Sequence, residues 1–144
     1  MTTIAYCDGV MAGDTRISNE SEIDVSAFRK VYKLRSGALI GFCGNVGDVQ
    51  NAINLLRVNP DNFSFLPTEE FEALLVLPDG SVRHFESKVW YDIDAKYFSI
   101  GSGSDAANVA MHMGADPRKA VRVAMVFDKN TGGKIHVVKL GKSK

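Results

Sequence analysis

The sequence predicts an α+β fold in which antiparallel strands form the sheets and helices are grouped around them. Strand pairs recur at turn signals, a further hairpin lies in the middle of the chain, and helical stretches occur in two places only. The order is strands, a helix, strands, two helices and a last strand, which is typical of this class. At 144 residues, the chain fits one domain that spans residues 1–144.

Two short hairpins are predicted near the start of the chain. The stretches TIAYC and GVMAGDTR alternate as strands around Asp8-Gly9, a dipeptide that favours a tight turn. A second pair, RKVYKL and GALIGFCG, turns at Ser36-Gly37. The first 44 residues are therefore expected to supply four strands.

The first helix is predicted in NVGDVQNAINLLRV, and Pro60 follows as a stop signal. Its apolar residues recur near helical spacing at Val46, Val49, Ile53 and Leu56. The next stretch, NPDNFSFLPTEE, carries two prolines and scattered aromatic residues. This composition indicates a packed connection within the domain rather than a linker between domains.

The second half of the chain predicts a hairpin, a strand, two helices and a final strand. FEALLVLPDGSVRHFE turns at Pro78-Asp79-Gly80, and KYFSIGSGS is a strand that ends in a Gly-rich turn. DAANVAMHMGA is Ala-rich and helical, while Asp116-Pro117 is a cap and first turn for PRKAVRVAMVF. GGKIHVVKL closes the chain as a strand.

Composition narrows the function classes. Seventeen basic residues balance seventeen acidic ones, so no global charge predicts binding to nucleic acid or to a membrane surface. Neither a membrane-spanning run nor a secretory signal is present, which predicts a cytoplasmic protein. Cys7 and Cys43 are too few for a disulfide framework and lack metal-ligand spacing to histidine, so we interpret both as small buried strand residues. The sequence contains no metal-binding or nucleotide-binding motif, so no cofactor is predicted.

Six short stretches together resemble the proteasome β-subunits and HslV peptidases, which are amino-terminal nucleophile (Ntn) hydrolases. In chain order they are TTI, AGD, KVYKL, GFCGNVGD, IGSGSDAA and DKNTGG. Each stretch alone is weak evidence. Asp14 of AGD can be a turn residue, Lys30 of KVYKL can be a strand-edge charge, and GSGS can be a flexible turn. Their shared order and spacing carry the resemblance, which implies an αββα sandwich of two antiparallel sheets flanked by helices.

The resemblance implies that Thr2 is the nucleophile once Met1 has been removed. A threonine hydroxyl needs a base, and a free α-amino group with a pKa near ~7.7 can act as one. Because the Thr2 side chain is small, we expect methionine aminopeptidase to remove Met1. If Met1 is retained, the amine is an amide and this chemistry fails.

Further catalytic roles are implied at six other positions. Lys30 falls where the family places a lysine whose charge lowers the pKa of the nucleophile, and Asp14 falls where a carboxylate holds that lysine. Gly44 matches the residue whose backbone N–H faces the oxyanion. The polar groups around the amino terminus correspond to Ser102, Asp128 and Thr131, the last replacing the usual serine.

Four residues fall near positions that line the family's main side-chain pocket: Ile17, Phe28, Phe42 and Val46. With Phe42 narrowing that pocket, we expect a small or medium apolar residue before the scissile bond. The alternative is that Phe28 and Phe42 are ordinary core residues.

The chain departs from the family between its first helix and FEALLVLPDG, where about a dozen turn-rich residues replace the rest of the first helix and a second one. The outer helical layer is therefore expected to be reduced. The resemblance implies a homo-oligomer, as a ring or stacked rings, but a reduced layer leaves ring size and docking to a AAA+ unfoldase open.

Three functions remain: a threonine peptidase acting on peptides or unfolded protein, an amidase acting on a small amide, and a non-catalytic assembly protein that retains Met1.

Overall fold

The computed structural model describes residues 2–18, 23–24, 27–59 and 71–141. Its strands and helices follow the predicted order, with a few additions. The strands are β1 (Thr3–Cys7), β2 (Val10–Gly13), β3 (Ile17–Ser18), β4 (Ile23–Asp24), β5 (Val31–Lys33), β6 (Leu39–Cys43), β7 (Glu72–Val76), β8 (Val82–Glu86), β9 (Val89–Ile93), β10 (Tyr97–Gly101) and β11 (His136–Lys139). The helices are α1 (Val46–Val58), α2 (Ser104–His112) and α3 (Pro117–Phe127).

Two antiparallel sheets form the centre of the fold. The first sheet has the strand order β10-β1-β2-β11, and the second has the order β5-β6-β7-β8-β9. Strands β3 and β4 form a separate pair of two residues each. The first sheet therefore joins the beginning of the chain to its last strand.

Three groups of buried residues show how the layers stack. Apolar residues of α1 pack on one face of the second sheet. Phe42 of β6 and Phe85 of β8 belong to that face. Side chains of both sheets meet in the middle, among them Ile4 and Leu74. The outer face of the first sheet is made of small residues such as Ala5, which α2 and α3 cover. The architecture is thus helix, sheet, sheet and helix pair, as the α+β αββα prediction expected.

Local sequence chemistry fixes the ends of the helices. The Asn45 side chain caps α1 by accepting a hydrogen bond from the Gly47 N–H at 2.8 Å. Asp116 caps α3 in the same way, accepting from the Lys119 N–H at 2.8 Å, with Pro117 in the first turn. None of the helices in the described ranges is long and apolar enough to cross a membrane.

The predicted hairpins are confirmed, and three strands were missed. Asp8-Gly9 turns with positive φ at both residues, and β1 pairs with β2. The sequence analysis did not predict β9, which follows β8 through Ser87-Lys88, a tight turn with positive φ at both positions but no glycine. The short pair β3 and β4 was also missed. The predicted packed connection at residues 60–70 lies outside the described residues.

Candidate active site

The β1–β2 hairpin places Thr2 beside Asp14. The pairing Ile4↔Gly13 brings the next residues together, so that the Asp14 N–H donates to the Thr3 carbonyl at 3.3 Å. The Thr3 N–H in turn donates to Asp14 Oδ1 at 3.1 Å, and the Thr2 hydroxyl donates to the same oxygen. Thr2 and Asp14 are 2% and 0% exposed, so this contact is shielded from solvent.

Lys30 completes this group from the residue just before β5. Its Nζ lies 3.1 Å from Asp14 Oδ1 and donates to the Thr2 hydroxyl oxygen. It also donates to the Arg16 carbonyl at 2.7 Å. Thr2, Asp14 and Lys30, which are separated in sequence, therefore form one contact group.

Burial sets the electrostatics of the lysine. Removal from water lowers the pKa of Lys30, while the neighbouring Asp14 carboxylate opposes this effect by favouring the charged ammonium. Asp14 has backbone donors as well: Oδ2 accepts from the Gly132 N–H at 3.1 Å and from the Arg16 N–H at 3.4 Å. These donors fix the orientation of the carboxylate that faces Lys30.

A second polar group lies next to the amino terminus. Asp128 Oδ2 accepts hydrogen bonds from the Ser102 hydroxyl and from the Thr131 hydroxyl, the latter at 2.6 Å. Thr131 Oγ1 lies 2.7 Å from Thr3 Oγ1, and the Ser102 hydroxyl reaches the Thr2 carbonyl at 3.5 Å. Burial raises the pKa of Asp128, but the hydrogen bonds from Ser102 and Thr131 outweigh it, so the pKa is lowered. The three residues lie together, adjacent to the first two threonines.

Gly44 lies between the last residue of β6 and the amino end of α1. Its φ is +130°, a conformation that favours glycine, and Asn45 caps the helix directly after it. The amino end of a helix favours negative charge because its N–H groups and dipole point there. The peptide N–H of Gly44 is therefore in a region of the fold suited to a developing anion.

Two glycines that the sequence analysis gave no role are required for close packing around Thr2. Gly101 has φ +99°, and a Cβ there would lie 1.9 Å from the Thr2 carbonyl oxygen. A Cβ on Gly103 would lie 2.1 Å from Thr3 Oγ1. Both belong to the quoted IGSGSDAA stretch, so the signal was present but was assigned only to Ser102.

Arg16 was also missed. Its guanidinium lies against Gly132, where a Cβ would come within 2.3 Å of Arg16 Cζ, and its Nη1 donates to the Lys129 carbonyl at 2.8 Å. Since its own carbonyl accepts from Lys30, Arg16 connects the lysine to the segment that carries Thr131. The signal in the sequence was the position of Arg16, two residues after Asp14.

The four predicted pocket residues differ in exposure. Val46 is 40% exposed in the first turn of α1, and Ile17 is half-buried at the start of β3. Phe42 is fully buried and lies 5.9 Å, centroid to centroid, from the Phe71 ring. Phe28 packs partly buried against the same core. Phe42 lines a small cavity together with α1 residues such as Ile53 and Leu56, and none of the other three residues lines that cavity. A side-chain pocket shared by all four residues therefore stays a prediction.

Cys43 is the other nucleophilic side chain near Gly44. It is 4% exposed, and burial raises the pKa of its thiol above the ordinary value. Its buried position in β6 confirms the structural interpretation of this cysteine, whereas Cys7, at the end of β1, is only half-buried, so the expectation of a buried residue was wrong there. Among the residues that the structure describes, no group of three His, Cys, Asp or Glu side chains can hold a metal ion.

Comparison with solved structures shows the same fold in distant proteins. "Thiobacillus denitrificans BPH in complex with Epoxomicin" is 16% identical, with a TM-score of 0.71 over 98% of this chain and 99% of that chain. "Thiobacillus denitrificans BPH" is 18% identical, with a TM-score of 0.66 over 99% of both chains. Eukaryotic HslV from Trypanosoma brucei is 16% identical, with a TM-score of 0.67 over 96% of this chain and 98% of that chain.

Comparison by sequence identifies the family. No curated protein sequence matches this chain. The family model described as "Proteasome subunit" matches residues 2–74, half of the chain, which include Thr2, Asp14, Lys30 and Gly44. The chain therefore belongs to the proteasome subunit family, with the Ntn-hydrolase fold of proteasome β-subunits and HslV.

Proposed function

We propose that this protein is a threonine peptidase in which Thr2, exposed by removal of Met1, is the amino-terminal nucleophile. The observation that carries the proposal is the contact group of Thr2, Asp14 and Lys30. An ammonium group that donates a hydrogen bond to a hydroxyl oxygen stabilises the ionised form of that hydroxyl. The hydroxyl is then a stronger nucleophile. A lysine used only for surface charge would not be 6% exposed beside a buried carboxylate.

In the first half of the proposed reaction, the free α-amine of Thr2 takes the hydroxyl proton. Thr2 Oγ1 then forms a bond to the carbonyl carbon of the substrate peptide, and the carbonyl electron pair moves to its oxygen. The Gly44 N–H donates a hydrogen bond to this oxyanion. Its collapse breaks the C–N bond, the leaving amine receives the proton from the α-ammonium, and an ester on Thr2 remains.

In the second half, water replaces the leaving amine. The α-amine accepts a proton from water as the water oxygen attacks the ester carbonyl, and the Thr2 hydroxyl leaves with that proton. The hydrogen-bonded group of Ser102, Asp128 and Thr131 is suited to holding the amine and the water in place. The products are a carboxylic acid and regenerated Thr2, so no cofactor is needed.

The mass of protein made in its native host tests the first requirement of this proposal. We expect the intact mass to be lower than that of the full sequence by one methionine, because a free Thr2 amine is needed as the base. Amino-terminal sequencing should then begin with Thr2-Thr3. Retention of Met1 would exclude this chemistry and favour the non-catalytic assembly protein.

We also propose that the protein works as a homo-oligomer, because its family forms oligomeric rings and a peptidase site is safest inside an assembly. Exposed apolar residues on, or directly after, the packed helices α2 and α3 support this proposal. They are Val109, Met113, Val126 and Phe127, each at least 65% exposed. The substrate would be a peptide or an unfolded protein, delivered by an unfoldase only if the shortened region after α1 still provides a docking surface.

Sedimentation velocity at several micromolar concentrations should show a species much heavier than one 15.7 kDa chain. The formal charge is zero, so little electrostatic repulsion opposes association. Closed symmetric assemblies are the usual form of such oligomers. A single species at the mass of one chain, unchanged by concentration, would contradict the proposed assembly and favour a small amide as substrate.

A further inference from the structure

Thr3, the first residue of β1, is a buried polar residue that takes no part in the reaction proposed above. It is 0% exposed, and neighbouring side chains along a strand point to opposite faces of the sheet. The Thr2 hydroxyl contacts Lys30. The Thr3 hydroxyl lies on the face that α3 covers, because a Cβ on Gly103 would lie 2.1 Å from Thr3 Oγ1 and 2.9 Å from Ala124 Cβ. The two hydroxyls therefore belong to different groups of residues.

The backbone and the side chain of Thr3 bind two different parts of the site. Its N–H donates to Asp14 Oδ1 at 3.1 Å, and its carbonyl accepts from the Asp14 N–H at 3.3 Å. Its Oγ1 lies 2.7 Å from Oγ1 of Thr131, which is also 0% exposed. The next residue closes a ring of contacts, because the Gly132 N–H donates to Asp14 Oδ2 at 3.1 Å. Thr3 thus links the Asp14 carboxylate to the segment that carries Thr131.

The hydrogen bonds of Thr131 fix the direction of its contact with Thr3. A hydroxyl group carries one hydrogen, and Thr131 donates its own to Asp128 Oδ2 at 2.6 Å. Burial raises the pKa of Asp128 and its hydrogen bonds lower it by more, so the carboxylate is ionised and can only accept. The Thr3 hydroxyl is therefore the donor to Thr131 Oγ1. Because both threonines are fully buried, bulk water does not compete for this hydrogen.

The Asp128 carboxylate and Thr131 belong to one tightly bonded loop, residues 128–132, which follows α3. The Thr131 N–H donates to the Asp128 carbonyl at 3.1 Å, and the Asn130 N–H donates to Asp128 Oδ1 at 3.1 Å. A hydrogen bond to Thr131 consequently holds the carboxylate as well. Buried hydrogen bonds in such a chain also strengthen one another, so the loss of the Thr3 donor weakens the bond from Thr131 to Asp128.

We propose that Thr3 is a positioning residue: its hydroxyl fastens the loop 128–132 beside Thr2 and thereby holds the polar group that serves the Thr2 amine. This inference rests on the proposed function, in which that amine is the base. Thr3 acts through Thr131 and does not itself touch the substrate or the reacting atoms. The hydroxyl of Thr3, rather than the size of its side chain, is what the site requires.

The loop can be observed directly, because Thr-Gly occurs once in the sequence, at Thr131-Gly132. Protein labelled with ¹³C at threonine carbonyls and ¹⁵N at glycine nitrogens gives one correlated peak, that of the Gly132 amide. This N–H is bound to Asp14 Oδ2, so its exchange with deuterium reports opening of the loop. We expect Thr3→Val to speed this exchange several-fold more than that of Gly41 in β6, which reports a general loss of stability.

Three variants separate the hydroxyl of Thr3 from the shape of its side chain. Thr3→Val keeps the branched shape and removes the hydroxyl, whereas Thr3→Ser keeps the hydroxyl and loses a methyl group. We expect Thr3→Val to slow acylation by an epoxyketone several-fold, and Thr3→Ser to retain the wild-type rates of acylation and of Gly132 exchange. If Thr3→Val does not fold, Thr3→Ala removes the hydroxyl without placing a methyl group beside the Thr131 oxygen.

A matched control is Ser99→Ala in the neighbouring strand β10. Ser99 is 5% exposed, and its hydroxyl donates to the Ser104 carbonyl at 2.8 Å and to Asn108 Oδ1 at 2.8 Å. The variant therefore also loses a buried strand hydroxyl with its hydrogen bonds, but none of these bonds reaches the loop 128–132. It should keep the wild-type rates of acylation and of Gly132 exchange.

A double variant tests whether Thr3 acts through Thr131. In a Thr131→Val background, Thr3→Val should have little further effect on either rate, because the partner of its hydroxyl is already gone. Equal Gly132 exchange in Thr3→Val and the wild type, or equally slow acylation of Thr3→Ser and Thr3→Val, would overturn the inference. A wild type that is never acylated would refute the proposed function, and the exchange rates would still decide whether Thr3 fastens the loop.

Discussion

Replacing Thr2 with alanine should abolish covalent labelling by a threonine-directed electrophile such as an epoxyketone or a β-lactone. Once Met1 is removed, Thr2 is the residue that carries both the hydroxyl and the free amine, so no other side chain can replace it. The measurement is intact mass after incubation: the wild type should gain the mass of the inhibitor, and Thr2→Ala should gain none. Its thermal unfolding should show that the fold is retained.

Two variants make this result specific. Thr2→Ser keeps the hydroxyl and should still be labelled, whereas Cys43→Ala removes the nearest alternative nucleophile and should be labelled like the wild type. Burial raises the pKa of the Cys43 thiol, which leaves little thiolate to react. Labelling of Thr2→Ala equal to that of the wild type would contradict the assignment and make Cys43 the residue to test next.

The hairpins were predictable because local chemistry decides them. Asp8-Gly9 and Gly37 turn with the positive φ that their residue types favour, and the alternating strands on either side have one buried face. Strand β9 was missed because its turn, Ser87-Lys88, adopts positive φ without glycine or asparagine. The stability of that turn comes from the pairing of β8 with β9 rather than from its own sequence.

The site was predictable only where a known family supplied the spacing. Nothing local in the sequence brings Lys30 to Thr2; the contact depends on how the two sheets stack. The contacts of His84 with Glu72 and Tyr91 could not be predicted, since they depend on the register of three strands and one of those strands was missed. The IGSGSDAA stretch did signal the glycine at position 101, but the reason for it could not be predicted, because it arises from the approach of a distant carbonyl.

Removing the charge of Lys30 should reduce acylation by about 10- to 1000-fold, the effect of losing a neighbouring charge that shifts a pKa by 1–3 units. If the lysine were placed for charge alone, Lys30→Ala would cost activity more than stability, but the structure predicts a loss of both. Lys30 is 6% exposed and paired with a fully buried carboxylate, and breaking such a pair costs about 3–5 kcal/mol.

Lys30→Met separates the two effects because it keeps the aliphatic stem and removes only the charge. Asp14 still accepts hydrogen bonds from the N–H groups of Thr3, Arg16 and Gly132, so this variant should lose less stability than Lys30→Ala. The rate at which Lys30→Met is acylated should nevertheless be as low as that of Lys30→Ala. The control is Arg83→Met, which breaks the exposed ion pair with Asp92 and should change neither property.

Asp14→Asn should act in the same direction but less severely, since Lys30 keeps its charge and loses only the carboxylate that orients it. The Thr2 hydroxyl and the Lys30 ammonium both contact Asp14 Oδ1, so an amide there would leave the ammonium poorly held. Acylation rates and unfolding temperatures of the variants, measured on the same preparations, test the whole group. If Lys30→Met and Asp14→Asn both keep wild-type turnover on a cleaved substrate, the buried pair is structural, and the activation of Thr2 must come from its amine alone.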